Sequence, residues 1–418
     1  MQSSSEFAII PLNNNTRGET RVNTEIVVAG HICVDLTPAI PAGHAHTLGE
    51  LLVAGTLVRV GPCVVSSGGA VANTGVALHR IGVPVALMGK AGDDAFGALL
   101  DGLMTAAGCA GAVRRVPGEE TSYTIVLAPP GIDRVFLHNP GANDTYTAAD
   151  IDYDVVRHAK LFHFGSPPLM KAMIANEGDE LVRVFAHAKQ CGVTTSLDMA
   201  LPDVNAAEGS INWEAVLRKV LPYVDIFVPS AEEVLLCLDR PAFLAKRAEA
   251  QARGGTILEL IEPDDYARVG ARLIELGAGI AMLKCGARGI YVRTAGAERL
   301  AALGSARPRA YAEWARRELW QPPFYVEKVA SATGAGDCAI AGFLASVLRG
   351  ESLAEALAFA NAAGAQNVQT YDATSGIRPY AETRAALATW PRAACTINAP
   401  GWRFDAVLQT WRGPHDGV

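Results

Sequence analysis

The sequence predicts an α/β fold in which helices cover a mainly parallel sheet. Apolar, β-prone runs alternate with helical patterns that carry an apolar stripe, as in βαβ units. Half of the 418 residues are hydrophobic, only 19% are charged, and small residues stand at two junctions between a strand and a helix. Strands are predicted at 25–29, 83–88, 160–164, 193–198, 224–229, 280–284, 289–293 and 324–329, and helices at 94–107, 179–190, 212–220, 266–276 and 335–349.

Composition and charge exclude several classes of protein. The net charge of −7 gives no basic surface for nucleic acid, and the sequence has no uninterrupted apolar run of 18 residues that would predict a membrane span. Its eight cysteines form no Cys-x-x-Cys pair, and its nine histidines show no metal-ligand spacing. We therefore expect a cytoplasmic protein without disulfides or zinc. Residues 1–24 are polar and are predicted to form a flexible tail.

The most informative segment is 331–337, which reads Ser-Ala-Thr-Gly-Ala-Gly-Asp. It follows the apolar run 324–329 and leads into a helical pattern that Gly350 ends. Free N–H groups and the positive end of the helix dipole at such a junction bind anions, and glycines let a phosphate approach the backbone. The segment therefore predicts a phosphate cradle.

A phosphate cradle alone does not explain Asp337, because a carboxylate repels a phosphate. The simplest role for it is to take the proton from a hydroxyl that attacks the phosphoryl group. Two alternatives are a helix cap and a dinucleotide fingerprint, Gly334-x-Gly336-x-x-Ala339. The fingerprint requires an acidic residue at the end of a following strand, whereas Glu351 precedes the capping box of a further helix at 352–355. A P-loop pattern is absent from the sequence.

A second glycine motif lies about 265 residues before the first. Residues 68–73 (Gly-Gly-Ala-Val-Ala-Asn) open a predicted helix that Gly82 and Pro84 end, and residues 78–82 read Leu-His-Arg-Ile-Gly. A predicted strand then leads into residues 92–97, Gly-Asp-Asp-Ala-Phe-Gly. Together with Gly-Ala-Gly-Asp at 334–337, these motifs closely resemble the two signatures of the ribokinase-like, phosphofructokinase-B family of carbohydrate and nucleoside kinases.

The resemblance implies a three-layer α/β/α sandwich with a small β-lid, and transfer of the γ-phosphoryl group of ATP to an alcohol. Asp337 is then the general base, and the backbone of Gly334, Ala335 and Gly336 is the anion hole. Asp35 would accept hydrogen bonds from the acceptor, which suits a vicinal diol because one carboxylate accepts two donors. The alternative for Asp35 is an ordinary turn residue. The other residues implied to line the acceptor pocket are Gly68, Gly69 and Asn73.

The resemblance also implies a site for ATP and Mg²⁺. Glu233 would orient the metal, although Ser230 stands where the family has asparagine. From the residues alone, Glu233 is also explained as a solvated carboxylate in a first helical turn, and Asn361 as a surface residue. The residues implied on the nucleotide side are Thr333, Lys284, Gly286, Gly289 and Asn361, and the positions that depart from the family pattern are Ala70, Ser331 and Ala332.

The resemblance assigns residues 25–380 to one kinase domain and 381–418 to a C-terminal extension without an assigned role. Segments near 38–66 and 121–142 carry β-like stretches at 56–60 and 123–127 and would form the lid, which excludes water from the acceptor. Insertions are predicted near 239–265 and 294–323, the second with a helix-like stretch at 311–320. Its two tryptophans, Trp314 and Trp320, are expected to pack locally rather than at the adenine or an interface.

The sequence thus predicts an ATP-dependent kinase for a hydroxyl of a sugar or sugar-like small molecule. The alternatives are a nucleoside kinase of the same fold, an NAD-binding oxidoreductase and a non-catalytic sugar sensor. Aromatic side chains at Tyr123, Phe136 and Tyr146 would favour a nucleoside. An exposed edge of the lid would allow two chains to pair as a homodimer. These motifs do not identify the acceptor, because specificity depends on the geometry of the lid.

Overall fold

The computed structural model describes residues 24–41, 48–130, 134–206 and 208–417. Apart from Thr24, the predicted tail at 1–24 lies outside these residues, and so do parts of both predicted lid segments. In the described part of the chain, each helix is too short or too polar to span a lipid bilayer.

Two sheets contain the named strands of the described residues. The strands are β1 (Ile26–Gly30), β2 (Cys33–Pro38), β3 (Cys63–Gly68), β4 (Val85–Gly92), β5 (Val113–Val116), β6 (Tyr123–Leu127), β7 (Val135–Asn139), β8 (Leu161–Gly165), β9 (Thr194–Leu197), β10 (Ile226–Phe227), β11 (Ile280–Lys284), β12 (Ile290–Thr294), β13 (Glu318–Gln321), β14 (Arg403–Asp405) and β15 (Thr410–Arg412).

The larger sheet has the order β14-β15-β13-β12-β11-β10-β9-β8-β1-β4-β5. Neighbours from β11 to β5 are parallel, whereas β12, β13, β15 and β14 extend the sheet with antiparallel pairing. The prediction of a mainly parallel sheet is therefore confirmed.

Helices cover both faces of this sheet. They are α1 (Leu48–Leu51), α2 (Ala70–Ile81), α3 (Ala95–Ala106), α4 (Tyr153–His158), α5 (Lys171–Gln190, with a break in the helical backbone at 175–178), α6 (Trp213–Val220), α7 (Ala231–Leu238), α8 (Arg240–Arg253), α9 (Ile257–Leu260), α10 (Pro263–Glu275), α11 (Ala297–Ala301), α12 (Ala335–Arg349), α13 (Leu353–Asn367) and α14 (Tyr380–Leu387).

Alternating side chains of β1 show why three layers form. Val27 and Ala29 join the core beneath α4–α8 and α10, whereas Ile26 and Val28 join the core beneath α2 and α11–α13. All four are completely buried. A parallel strand that is apolar on both faces requires cover on both sides, which the two helical layers supply. The predicted α/β/α sandwich is confirmed.

The smaller sheet has the order β3-β2-β6-β7, and residues from both predicted lid segments build it. Strand β2 pairs with β3 antiparallel and with β6 parallel, so that Asp35 lies between Ser66 and Thr124. The β-like stretch 56–60 is not a strand. The last backbone bonds across the ladder join Ala39 to Gly61 and Pro62, so none of the described residues remains to pair with 56–60.

The predicted strand at 324–329 is wrong. Pro322 and Pro323 lack the N–H groups that a ladder needs, and the strand forms before them as β13, within the stretch predicted to be helix-like. Phe324 makes an isolated bridge to Arg392, and the following residues form the loop that leads to α12. The C-terminal residues contribute the β14–β15 hairpin, in which β15 pairs with β13.

Candidate active site

The candidate residues gather at the carboxyl edge of the parallel sheet, where ligands bind in open α/β folds. Lys284 ends β11, Asp198 follows β9, and Ser230 follows β10 and caps α7. Helices α2 and α12 begin at the same edge, and the lid strand β2 continues from β1. Residues that are up to 300 positions apart in the sequence therefore meet in one cleft.

Asp337 lies in the first turn of α12 and turns its carboxylate toward α2. Asn73 Nδ2 donates to Asp337 Oδ2 at 3.0 Å, and Thr74 Oγ1 donates to Oδ1 at 3.2 Å. The N-cap of α12 is Gly334, without a side-chain cap. The geometry therefore does not support the helix-cap alternative for Asp337; both carboxylate oxygens are oriented by a neighbouring helix instead.

Gly334 has a backbone conformation and surroundings that leave no room for a side chain. Its φ is 72°, and a Cβ at this position would lie 2.3 Å from the carbonyl oxygen of Ala373. The preceding residue, Thr333, is held by Ser331 Oγ, which accepts from Thr333 N at 3.1 Å, and by the buried Asn367, whose Nδ2 donates to Thr333 O at 2.9 Å. The backbone leading into α12 is thus fixed before any ligand binds.

Asp35 lies on the lid strand β2 rather than in a turn, so the turn alternative is wrong. Its carboxylate covers Gly68, where a Cβ would come 2.2 Å from Oδ2. Burial raises the pKa of Asp35, hydrogen bonds from Cys33 and Thr124 oppose this, and the charge of Asp337 raises it further. Gly69 is the N-cap of α2. Two carboxylates, one from the lid and one from α12, therefore lie close enough for their charges to interact.

A pair of histidines lies on the same side of the lid as Asp35 and Thr124. His31 Nε2 lies 3.3 Å from Nε2 of His138, which is on the lid strand β7, and His138 Nδ1 lies 3.0 Å from Thr124 Oγ1. Burial lowers the pKa of His31 to about 3 and also lowers that of His138. Both rings are therefore neutral at physiological pH. They add polar groups next to Asp35 but no positive charge. The sequence reasoning did not find this pair, which no local spacing signals.

Lys284, one of the residues predicted to contact the nucleotide, forms an ion pair that sequence reasoning also missed. Lys284 Nζ lies 2.6 Å from Asp198 Oδ1, and the Lys284 side chain passes within van der Waals distance of where a Cβ on Gly336 would be. Burial lowers the pKa of Lys284, but the carboxylates of Asp198, Glu233 and Asp337 outweigh this, so the net shift is upward. Burial raises the pKa of Asp198. The feature of the sequence that could have indicated Asp198 is its position at the end of the predicted strand 193–198.

Glu233 has a structural partner in addition to its predicted role. Its Oε2 accepts from Ser230 N at 2.7 Å, and Ser230 Oγ accepts from Glu233 N, which forms a capping box on α7. Among the described residues, no three His, Cys, Asp or Glu side chains could hold a metal ion together. Three carboxyl groups from different elements, Asp198, Glu233 and Asp337, nevertheless lie near enough to the buried Lys284 to act on its charge.

The remaining nucleotide candidates lie on neighbouring elements. Gly286 and Gly289 flank a tight turn between β11 and β12. Asn361, on α13, donates from Nδ2 to the carbonyl oxygens of Gln321 and Pro322 at 3.1 and 3.3 Å. Trp314 and Trp320 are buried, which confirms the prediction that they pack locally. Asn361 thus anchors α13 to the end of β13 in this structure.

A model of the family described as pfkB family carbohydrate kinase matches residues 23–379. The chain belongs to this family. It is therefore a sugar kinase, a phosphotransferase with a hydroxyl acceptor, and the oxidoreductase and sensor alternatives are set aside. Sequence relatives agree. An uncharacterized sugar kinase of Archaeoglobus fulgidus is 25% identical over 72% of this chain and 97% of its own length.

Plant relatives include fructokinases. Fructokinase-1 of Oryza sativa is 26% identical over 82% of this chain and 91% of its own length, and a Solanum tuberosum fructokinase is 31% identical over 45% of this chain and 60% of its own. Among solved structures, the Arabidopsis thaliana ribokinase complexed with ribose and ATP has a TM-score of 0.63 at 20% identity, covering 87% of this chain and 98% of that one. This structural similarity shows that the pfkB-family chain has the ribokinase fold.

Proposed function

We propose that this kinase transfers the γ-phosphoryl group of ATP to a hydroxyl of a sugar, with Asp337 as the general base. The observation that carries the proposal is the Asp337 carboxylate, which is oriented by Asn73 and Thr74 and lies beside the N-terminus of α12. Asp337 takes the hydroxyl proton, the acceptor oxygen forms a bond to the γ-phosphorus, and the bond from that phosphorus to the ADP oxygen breaks.

The backbone of Gly334, Ala335 and Gly336 supplies the anion hole in this reaction. The N–H groups of Gly334 and Gly336 are at a helix N-terminus and lack intrahelical partners, so they stabilise negative charge on the transferred group. The Ala335 N–H donates to Ala332 O at 3.3 Å in this structure and would have to exchange that carbonyl for a phosphoryl oxygen. Thr333 and Lys284 add a hydroxyl and an ammonium group at the same place. We assign the turn with Gly286 and Gly289, together with Asn361, to the nucleotide side.

Glu233 and Asp198 are the residues that would hold Mg²⁺, directly or through water. Mg²⁺ bound at phosphates keeps several waters and needs only one or two carboxylates, which agrees with the absence of a three-residue ligand cluster among the described residues. When bound, the ion neutralises the charge of the ATP phosphates. The grouping of Asp198, Glu233 and Asp337 around the buried Lys284 supports this assignment.

The acceptor pocket favours a sugar over a nucleoside. Tyr146 is fully buried and donates to Met88 O at 2.9 Å, and Tyr123 packs against Phe96. Two of the three aromatic residues that could stack on a base are thus engaged in the protein. Asp35, the neutral histidine pair and Thr124 present polar groups that suit hydroxyls, and the names of the relatives, fructokinase and ribokinase, support a sugar.

The experiment that tests this function is ADP release from Mg-ATP across a panel of neutral pentoses and hexoses, sugar acids and nucleosides. We expect turnover that requires a sugar and that EDTA abolishes. Turnover only with nucleosides would support the second candidate, a nucleoside kinase. If Mg-ADP binds in calorimetry but none of the compounds gives turnover, the proposed acceptor class is wrong. If Mg-ADP also fails to bind, the nucleotide site is wrong.

Replacing Asp35 with asparagine is expected to raise the acceptor KM by about 10- to 100-fold, because a hydrogen bond to a charged group contributes about 1.5–3 kcal/mol. The raised pKa of Asp35 adds a pH dependence. As pH falls through that pKa, the carboxylate becomes protonated and the wild-type KM rises, whereas the variant has no such rise. Steady-state kinetics across pH, with the exposed Asp154→Asn as a control, would measure this. An unchanged KM would contradict the role of Asp35.

The lid presents an apolar surface that we propose joins two chains into a homodimer in a reducing, cytoplasmic environment. Val65 on β3 and Leu137 on β7, the two edge strands of the lid, are 37% and 49% exposed and lie on the same face of its sheet, and all eight cysteines are unpaired. Sedimentation should give a dimer for the wild type and a monomer for the double variant Val65→Glu, Leu137→Glu. A wild-type monomer at micromolar concentration would contradict the proposal.

A further inference from the structure

The function proposed above gives no role to Arg288, although this residue lies in the turn assigned to the nucleotide. The turn is closed by its own backbone, in which Arg288 N donates to Cys285 O at 3.1 Å and Gly289 N donates to Gly286 O at 3.2 Å. Gly286 and Ala287 are exposed at its tip, whereas Arg288 is half-buried. These local bonds set the shape of the turn, and the contacts of Arg288 set its position on the protein.

The guanidinium group of Arg288 fixes the turn to the first predicted insertion. Its Nη1 donates to Leu258 O at 3.1 Å and to Ile261 O, both at the end of α9. Basic side chains commonly bind the last carbonyl groups of a helix in this way. The Leu258 side chain also covers the turn, because its Cδ1 lies 2.8 Å from where a Cβ on Gly286 would be. Helix α9 and the nucleotide-side turn are therefore held together as one unit.

Two aromatic rings hold the same guanidinium group. Its carbon lies 5.0 Å from the centroid of a Trp320 ring and 5.6 Å from that of Tyr266, and both aromatic residues are fully buried. A cation at this distance is attracted to the face of an aromatic ring, and the planar group of arginine also stacks on it. Lysine would keep the charge of Arg288 but lose the planar group.

The backbone of Arg288 is bound to the C-terminal extension. Its carbonyl oxygen accepts from Trp320 Nε1 at 2.7 Å and from Cys395 Sγ at 3.7 Å. Trp411 on β15 in turn donates from Nε1 to the carbonyl oxygen of Cys395 at 3.1 Å. Residues 380–418 lie beyond the part of the chain that the family model matches. The first predicted insertion and the C-terminal extension therefore meet at one residue of the nucleotide-side turn.

We propose that Arg288 is a positioning residue for ATP, which anchors the nucleotide-side turn to α9 and to the C-terminal extension. The proposal rests on the proposed function. Gly286 and Gly289 have positive φ angles of 56° and 93°, so the turn begins and ends at residues with wide conformational freedom. Without its anchor the turn adopts other positions, and apparent affinity falls as the binding-competent state becomes rarer. Segments with no part in phosphoryl transfer therefore determine the affinity for ATP.

The test compares Arg288→Met and Arg288→Lys with a matched arginine control. Arg157→Met serves as control, because Arg157 is exposed on α4 and pairs with Asp154. We expect Arg288→Met to raise the ATP KM and the Mg-ADP dissociation constant about 10-fold, the factor that corresponds to the loss of one bond from a charged donor. The kcat at saturating ATP and the acceptor KM should change little. Arg288→Lys should give a smaller rise, and it tests the proposal where methionine prevents folding.

Hydrogen–deuterium exchange separates positioning from a general loss of stability. Without nucleotide, the amides of residues 285–289 should exchange faster in Arg288→Met than in the wild type, and Mg-ADP should restore their protection. Two results would overturn the proposal: an Mg-ADP affinity equal to that of the control, or a lower kcat and melting temperature with an unchanged ATP KM, which would make Arg288 a structural residue only. A wild type that does not bind Mg-ADP would instead contradict the proposed function itself.

Discussion

Replacing Asp337 with asparagine is expected to lower kcat by about 1,000-fold while Mg-ADP affinity stays close to that of the wild type. Asparagine has nearly the same size and can still accept a hydrogen bond from Asn73 or Thr74, which hold the wild-type carboxylate. Its amide oxygen, however, cannot take the proton of the acceptor hydroxyl at neutral pH. The N-terminus of α12 and Lys284 are unchanged, so nucleotide binding should persist.

Acceptor-dependent ADP release and calorimetric titration with Mg-ADP measure the two parts of this expectation. Asp154→Asn is the matched control, since Asp154 is exposed on α4 and its ion pair is local. A variant at Asp337 with a near-normal rate would remove that residue from the role of base. A variant that loses both turnover and Mg-ADP binding would point to a structural defect at the start of α12.

Replacing Gly334 with alanine is expected to destabilise the fold and abolish turnover together. At a φ of 72°, a residue with a Cβ costs about 1–2 kcal/mol in the backbone alone. The added Cβ would also lie 2.3 Å from the Ala373 carbonyl oxygen and 2.6 Å from its Cα, and neither atom belongs to a flexible side chain. The loop that carries the anion hole must therefore move. Thermal melting and ADP release should both report the loss.

Gly336→Ala is the matched control for Gly334→Ala, because Gly336 lies two residues further along the same turn. A Cβ on Gly336 would have the Lys284 Cδ as its nearest neighbour at 3.4 Å, an ordinary contact with a flexible side chain. Gly336→Ala should therefore keep a wild-type melting temperature and lose activity only because the methyl group intrudes where a phosphate must approach. Equal melting temperatures for wild type and Gly334→Ala would contradict the structural argument, and full activity in Gly336→Ala would contradict the phosphate cradle.

Sequence reasoning located the parts of the fold that local chemistry determines. The strand at 280–284 and the helix at 335–349 have the predicted bounds, because an apolar run and a glycine-bounded amphipathic pattern leave little alternative. The strand at 324–329 failed for a local reason as well. The prediction gave more weight to the apolar run than to the two prolines before it. A residue without an N–H cannot continue a ladder, so the chain forms its strand at 318–321 instead.

The sequence predicted only those residues of the candidate site that lie in or beside a motif. Asp35, Asp337 and Lys284 stand in or beside recognisable segments, and the structure brings all three to one edge of the sheet. The partners of these residues were not predictable, since they depend on long-range packing. Asp198 meets Lys284 over 86 positions, Asn73 meets Asp337 over 264, and His31 meets His138 over 107. A local spacing pattern does not link residues that are so far apart in the sequence, so these side-chain contacts arise only in the folded chain.

The antiparallel extension of the large sheet has a consequence for synthesis of the chain. Trp320 on β13 pairs with Trp411 on β15, so the outer neighbour of β13 is made more than 80 residues later. On the ribosome, β13 can already join β12 while its other side still presents unpaired backbone groups. An open strand edge of this kind pairs readily with other nascent chains. This edge of the sheet is therefore protected against aggregation only after β15 has emerged.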